Sequence, residues 1–200
     1  MTEKSRRSPR QARAEGTVEA ILDAAFQLLE ADGVERLTTN HIAARAGVSI
    51  GTLYQYFASK QDILAALADR RAAAVRDQIA DTVINQPERG AARQIVRALM
   101  QGFEGAPATR EALLTAYYRG GADARMARQH EAFLAAIAGK AQLQIELTPE
   151  RAFVLTHAPV ALLRAALAEQ ELGLDPTRLE DELARLIEAY VSALPQTKPA

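Results

Sequence analysis

The chain predicts an all-α protein, with a small three-helix domain at its front and a larger helical bundle behind it. Three observations carry that prediction. Apolar residues recur at spacings of three and four through most of the chain, the period of a helix face. No segment shows the strict alternation of a half-buried strand. The breaks in the pattern fall at Asp32-Gly33, Gly47, Gly105 and Pro107, Gly120-Gly121 and Pro149, residue types that close or open helices.

The first helix is expected from about Thr17 to Ala31, with Val18, Ile21, Leu22, Ala25, Leu28 and Leu29 on one face. A second runs from about Thr39 to Ala46, capped by Thr38 or Thr39. A third covers Ile50 to Phe57. Ser59 opens a longer helix, and Asp62 stands three residues on, the spacing of a capping box. That pattern breaks after Asp81 at NQPERG. The next helix carries Ile95, Val96, Leu99, Met100 and Phe103, and another carries Leu113, Leu114, Tyr117 and Tyr118. Met126, His130, Phe133, Leu134 and Ile137 trace one face of a further helix. A long apolar helix runs from Pro149 to about Glu171, with Pro159 inside it, where the missing backbone donor favours a kink. The last, from Pro176 to Leu194, is amphipathic, with its apolar stripe at Leu179, Leu183, Leu186, Ile187, Tyr190, Val191 and Leu194.

Composition excludes several classes of function. The 200 residues are 48% apolar and 24% charged, the balance of a soluble globular protein large enough for one sizeable or two modest domains. There is no cysteine, which removes disulfide frameworks, zinc ribbons and thiol nucleophiles. No uninterrupted apolar run reaches the ~20 residues of a membrane span, and Asp23 and Gln27 interrupt ILDAAFQLL, so the basic N-terminus does not read as a secretory signal. The expected location is the cytoplasm, with no membrane partner. Net charge is −1, yet residues 1–16 hold Lys4, Arg6, Arg7, Arg10 and Arg13 against Glu3 and Glu15, a local net of +3. Such a patch is either a flexible arm for phosphate or a solubilising tail.

The run from Leu37 to Leu64, LTTNHIAARAGVSIGTLYQYFASKQDIL, is the most informative segment. It reads as two short helices hinged at Gly47. Ile42, Ala46, Val48, Leu53 and Phe57 form a miniature core, and Ala43 lets the helices cross closely. Ser49, Thr52, Gln55 and Tyr56 are left for the outside, on the helix that a helix-turn-helix protein lays in the major groove. Gly51 is costly inside a helix; either close approach of a phosphate or close packing of a neighbouring helix would account for it.

TTNHIAARAGVSIGTLYQYFASKQDIL, preceded by ILDAAFQLLEADGVERLTT, resembles the DNA-binding region of the tetracycline-repressor (TetR) family of bacterial transcription regulators. The resemblance covers the first 65 residues or so; the remainder agrees in being helical. It implies phosphate contacts from Thr39, Tyr54, Tyr56 and Lys60, and places Ser49, Gly51, Thr52 and Gln55 at or near the groove. Side-chain chemistry concurs: hydroxyls and lysine suit phosphate, Gln suits an adenine edge, and Thr52 can touch a thymine methyl. Tyr54 could instead be a core aromatic. Ile50 departs from relatives that are often polar there, which counts against hydrogen-bonded readout at that position.

The implied organisation is a flexible basic arm at 1–16, a helix-turn-helix DNA-binding domain at 17–64 with its motif at 38–57, a helical ligand-binding and dimerisation domain at 65–194, and a tail at 195–200. The implied function is a homodimeric repressor, bound to an inverted-repeat operator in double-stranded DNA and released by a small-molecule inducer. Phe103, Tyr117, Met126, His130 and Phe133 are candidates for lining the inducer site, with ordinary bundle core as the alternative. Leu183, Ile187 and Tyr190 are candidates for the dimer interface, with packing inside the subunit as the alternative.

No enzyme is expected. There is no phosphate loop and no nucleophile elbow, and Leu134 stands where the second histidine of a zinc-protease motif would follow His130-Glu131. His41, His130 and His157 are scattered, so neither a metal nor a cofactor is expected. A helical interaction protein with a vestigial motif remains the rival, against which the intact Tyr54, Lys60 and basic arm count.

Overall fold

The computed structural model describes residues 9–85, 90–102, 105–119, 122–138 and 145–195. Among them the regular elements are helices: α1 (Pro9–Arg36), α2 (Thr39–Ala46), α3 (Ile50–Tyr56), α4 (Lys60–Asn85), α5 (Ala91–Gln101), α6 (Pro107–Tyr118), α7 (Ala122–Ile137), α8 (Pro149–Ala168) and α9 (Pro176–Ala193), with a 3-10 turn at Gln170–Leu172. No helix among the described residues is long and apolar enough to cross a membrane. The chain divides into two compact units, residues 1–70 with 105–120, and residues 71–104 with 121–200.

The first unit is built on α1. Ile21, Leu22, Ala24, Ala25 and Leu29 are buried along it, as the spacing of three and four predicts. Its start differs from expectation. The helix begins at Pro9 instead of Thr17, so residues 9–16 of the expected flexible arm are helical, while residues 1–8 lie outside the described part. The reason is local: a proline fits the first turn and RQARA is made of helix formers. At the other end the backbone leaves helical geometry at Gly33 (φ 75°), within the Asp32-Gly33 break that the sequence predicts.

α2 and α6 pack against α1. The α6 contact was not legible in the sequence. Thr109, fully buried, donates its hydroxyl proton to the Leu29 carbonyl at 3.4 Å. The Glu30 carboxylate accepts from the backbone N–H of Ala106 at 3.1 Å, just before α6 begins. Ala106 has no capping side chain of its own, so a carboxylate from another helix satisfies an otherwise orphaned donor and complements the helix dipole. Arg70 on α4 meets Glu19 and Asp23 of α1 at 2.7 and 2.8 Å.

The second unit centres on α5 and α9. Ala92 and Val96 pack with Leu183 and Ala184, and Met100, Leu163, Leu179 and Ile187 close around them. Arg93 and Arg97 pair with Glu180 at 3.4 and 2.7 Å, and Arg93 also pairs with Asp181 at 2.6 Å. The Asp181 hydrogen bond and charge raise the Arg93 pKa further. Leu183 and Ile187, expected at a dimer interface, both belong to this cluster within the single chain. Leu183 is 3% exposed within one chain and Ile187 is half-buried. The α9 stripe is wide enough to serve two surfaces, and its inner edge is the one the fold consumes.

Candidate nucleic-acid interface

The motif is assembled by its caps. Thr38 accepts from the His41 N–H at 3.2 Å and starts α2. Gly47 ends it in the left-handed region (φ 70°, ψ 26°), a conformation that L side chains rarely tolerate. Two bonds then close the turn, Gly47 N–H to the Ala44 carbonyl at 3.3 Å and Val48 N–H to the Ala43 carbonyl at 3.0 Å. Ser49 begins α3 by accepting from the Thr52 N–H at 3.0 Å. Ile42, Ala43, Leu53 and Phe57 are buried as expected, while Ala46 and Val48 are half-buried. Ser59 caps α4, accepting from the Asp62 N–H at 3.2 Å and donating to the Asp62 carboxylate at 2.9 Å.

With Leu53 fully buried, the opposite side of α3 is presented to solvent. Ser49, Gly51, Tyr54, Gln55 and Tyr56 are exposed, and Thr39, Thr52 and Lys60 are half-buried. Tyr54 is 53% exposed, so it is not a core aromatic. Its hydroxyl lies 3.2 Å from the Thr39 hydroxyl, close enough for one to donate to the other. Lys60 donates to the Val34 carbonyl at 3.1 Å, using one of its three protons and holding the ammonium beside the end of α1. A Cβ built at Gly51 would approach nothing closer than the Ser49 hydroxyl at 3.8 Å. Packing inside the protein therefore does not require that glycine.

Two features went unread in the sequence. Ser49 and Thr52 bond each other through their hydroxyls at 2.8 Å as well as through the cap, so Ser49 first of all fixes the start of α3. Arg45, in the last turn of α2, is exposed; a cation there complements the helix dipole and adds positive charge beside the turn.

The expected ligand residues are divided between the two units. Tyr117 is buried on α6 in the first unit, its ring edge-on to Tyr118 at 5.2 Å. Met126, His130 and Phe133 are half-buried on α7 in the second unit. Phe103 lies outside the described residues. His130 sits 2.9 Å from the Thr156 hydroxyl, itself 2.9 Å from His157, whose ring stacks on Phe153 at 4.1 Å. Desolvation, and then the nearby His157, lower the His130 pKa, with Glu131 opposing. Among the described residues no group of three or more His, Asp or Glu could hold a metal ion.

A groove of about 560 Å³ runs along α8, the 3-10 turn and α9. Leu162, Leu172, Leu174 and Leu186 line it and are 44–60% exposed. Met126, His130 and Phe133, the described candidates in the same unit, are not among its lining residues.

Residues 21–67 match the family model of bacterial regulatory proteins, tetR family. The HTH-type transcriptional regulator SrpR of Pseudomonas putida is 43% identical over 61 residues, which is 30% of this chain and 29% of that protein. The chain matches 33%, 29% and 24% of the length of three such regulators and receptors. The structure of the TetR-family repressor AlkX from Dietzia sp. strain DQ12-45-1b superposes with a TM-score of 0.64 at 23% identity, over 91% of this chain and 99% of that one. That of the multidrug-binding protein EbrR complexed with imidazole does so with a TM-score of 0.59 at 21% identity, over the whole of both chains. Residues 21–67 are therefore similar to the helix-turn-helix of tetR-family regulatory proteins, and the chain shares the fold of the two TetR-type structures. The matched relatives are regulators of transcription, not enzymes.

Proposed function

We propose that this TetR-family chain is a dimeric repressor that binds an inverted-repeat operator and leaves it when a small molecule binds. The observation that carries the proposal is the exposed face of α3, set by a buried Leu53 and a fixed turn at Gly47. Thr39, Tyr54, Tyr56 and Lys60 hold backbone phosphates, which position the domain without reading sequence. Gln55 and Thr52 reach base edges, and Gly51 lets the backbone come close. A DNA regulator of this kind works in the bacterial cytoplasm.

The second copy covers the outer faces of α8 and α9. Leu162, Leu172, Leu174 and Leu186 offer the apolar surface there, and Tyr190 is half-buried on α9. Two reading heads joined in this way span half-sites about 34–36 Å apart. Met126, His130 and Phe133 on α7 line the inducer site. A His130 kept neutral by burial presents a ring nitrogen to a polar guest. AlkX, a repressor, and EbrR, a multidrug-binding protein, lend this reading support by analogy of fold.

Selection of bound duplexes from a random pool tests the whole reading. An inverted repeat with two half-sites one turn apart is the expected product. Recovery of no shared sequence, together with sedimentation as a monomer at micromolar concentration, would sink it.

A further inference from the structure

Ile50 is the first residue of α3, and 39% of its surface is exposed. A single exposed isoleucine is ordinary on a protein surface; its position makes this one informative. It follows the Ser49 cap directly, and the N-terminal residues of a recognition helix are those that meet base edges. Gly51 beside it carries no side chain, and nothing but the Ser49 hydroxyl at 3.8 Å stands near the space a Cβ would fill. The neighbouring hydroxyls of Ser49 and Thr52 are bonded to each other at 2.8 Å, so the polar groups at this end of the helix are partly satisfied within the protein. The branched aliphatic side chain of Ile50 is the prominent apolar surface they leave.

The major groove offers one apolar group to such a side chain, the C5-methyl of thymine. We propose that Ile50 is a specificity-determining residue that selects thymine in each half-site by packing on its methyl. The departure at position 50 then exchanges hydrogen-bonded readout for hydrophobic readout. This proposal rests on the operator-binding reading above, and its failure is separable from the failure of that reading.

The experiment uses the full chain and a duplex selected from a random pool by the wild type. Each thymine of the selected half-site is replaced by deoxyuridine, which lacks only the methyl. One position should lose about fourfold in affinity per methyl removed, the transfer value of one buried carbon. At that position Ile50→Ala should bind thymine and uracil duplexes alike, whereas Thr52→Ser, which removes the other candidate methyl contact, should keep the preference. Because Ile50 is exposed, the circular dichroism of Ile50→Ala should match wild type. No thymine sensitive to its methyl, or a sensitivity that persists in Ile50→Ala, overturns the proposal while leaving operator binding intact. Failure of the wild type to select any duplex instead overturns the operator reading itself.

Discussion

The hydroxyls of Thr39 and Tyr54 lie 3.2 Å apart, joining the first turn of α2 to the exposed side of α3. One hydroxyl donates to the other, and the second keeps its proton for a phosphate oxygen in the reading proposed above. Removing either hydroxyl should weaken DNA binding evenly across sequences, because phosphate contacts carry no base information. Tyr54→Phe is exposed enough that stability should change by no more than about 0.5 kcal/mol. Affinity for operator and for random duplex, measured side by side, checks this. A loss confined to the operator would mean that Tyr54 reads bases.

Lys60→Ala should do two separable things. Loss of the bond to the Val34 carbonyl should cost about 1 kcal/mol of stability, visible in urea unfolding. Loss of the charge should lower the slope of log affinity against log salt by about 1 per subunit. A lower stability with an unchanged salt slope would assign Lys60 to structure alone.

Leu183 and Leu186, three residues apart on α9, should behave in opposite ways. Leu183 is 3% exposed, and Leu183→Ala should cost about 2–5 kcal/mol by opening a cavity against α5. Leu186 is 47% exposed, so Leu186→Glu should leave the subunit folded and shift the dimer towards monomer. Sedimentation of the folded Leu186→Glu protein as a dimer would remove this face from the interface.

His130 should make the second unit sensitive to acid. Desolvation first, and His157 second, hold its folded-state pKa below the ordinary value, so the unfolded chain takes up a proton before the folded one does. The stability contributed by neutral His130 is complete above about pH 6.5 and is lost as pH falls through the lowered value. His130→Gln should show a flatter decline of the unfolding midpoint between about pH 7 and 5. Identical pH profiles for the two proteins would contradict the assignment.

The sequence by itself determined the helix-turn-helix segment and the resemblance it carries. Caps, hinge and core within Thr38–Asp62 depend on bonds between residues three to five apart, so local pattern suffices to place them. The exposed face of α3 followed from the same short-range logic. Contacts between distant segments were different. That α6 docks on α1 rests on Glu30 meeting Ala106 and Thr109 meeting Leu29, pairs about eighty residues apart that no periodicity reports. On α9 the sequence displayed one broad apolar stripe, and only tertiary packing decided that Leu183 turns inward while Leu186 stays outside. A helix shows how much surface it must bury; which neighbour covers each side depends on the rest of the chain.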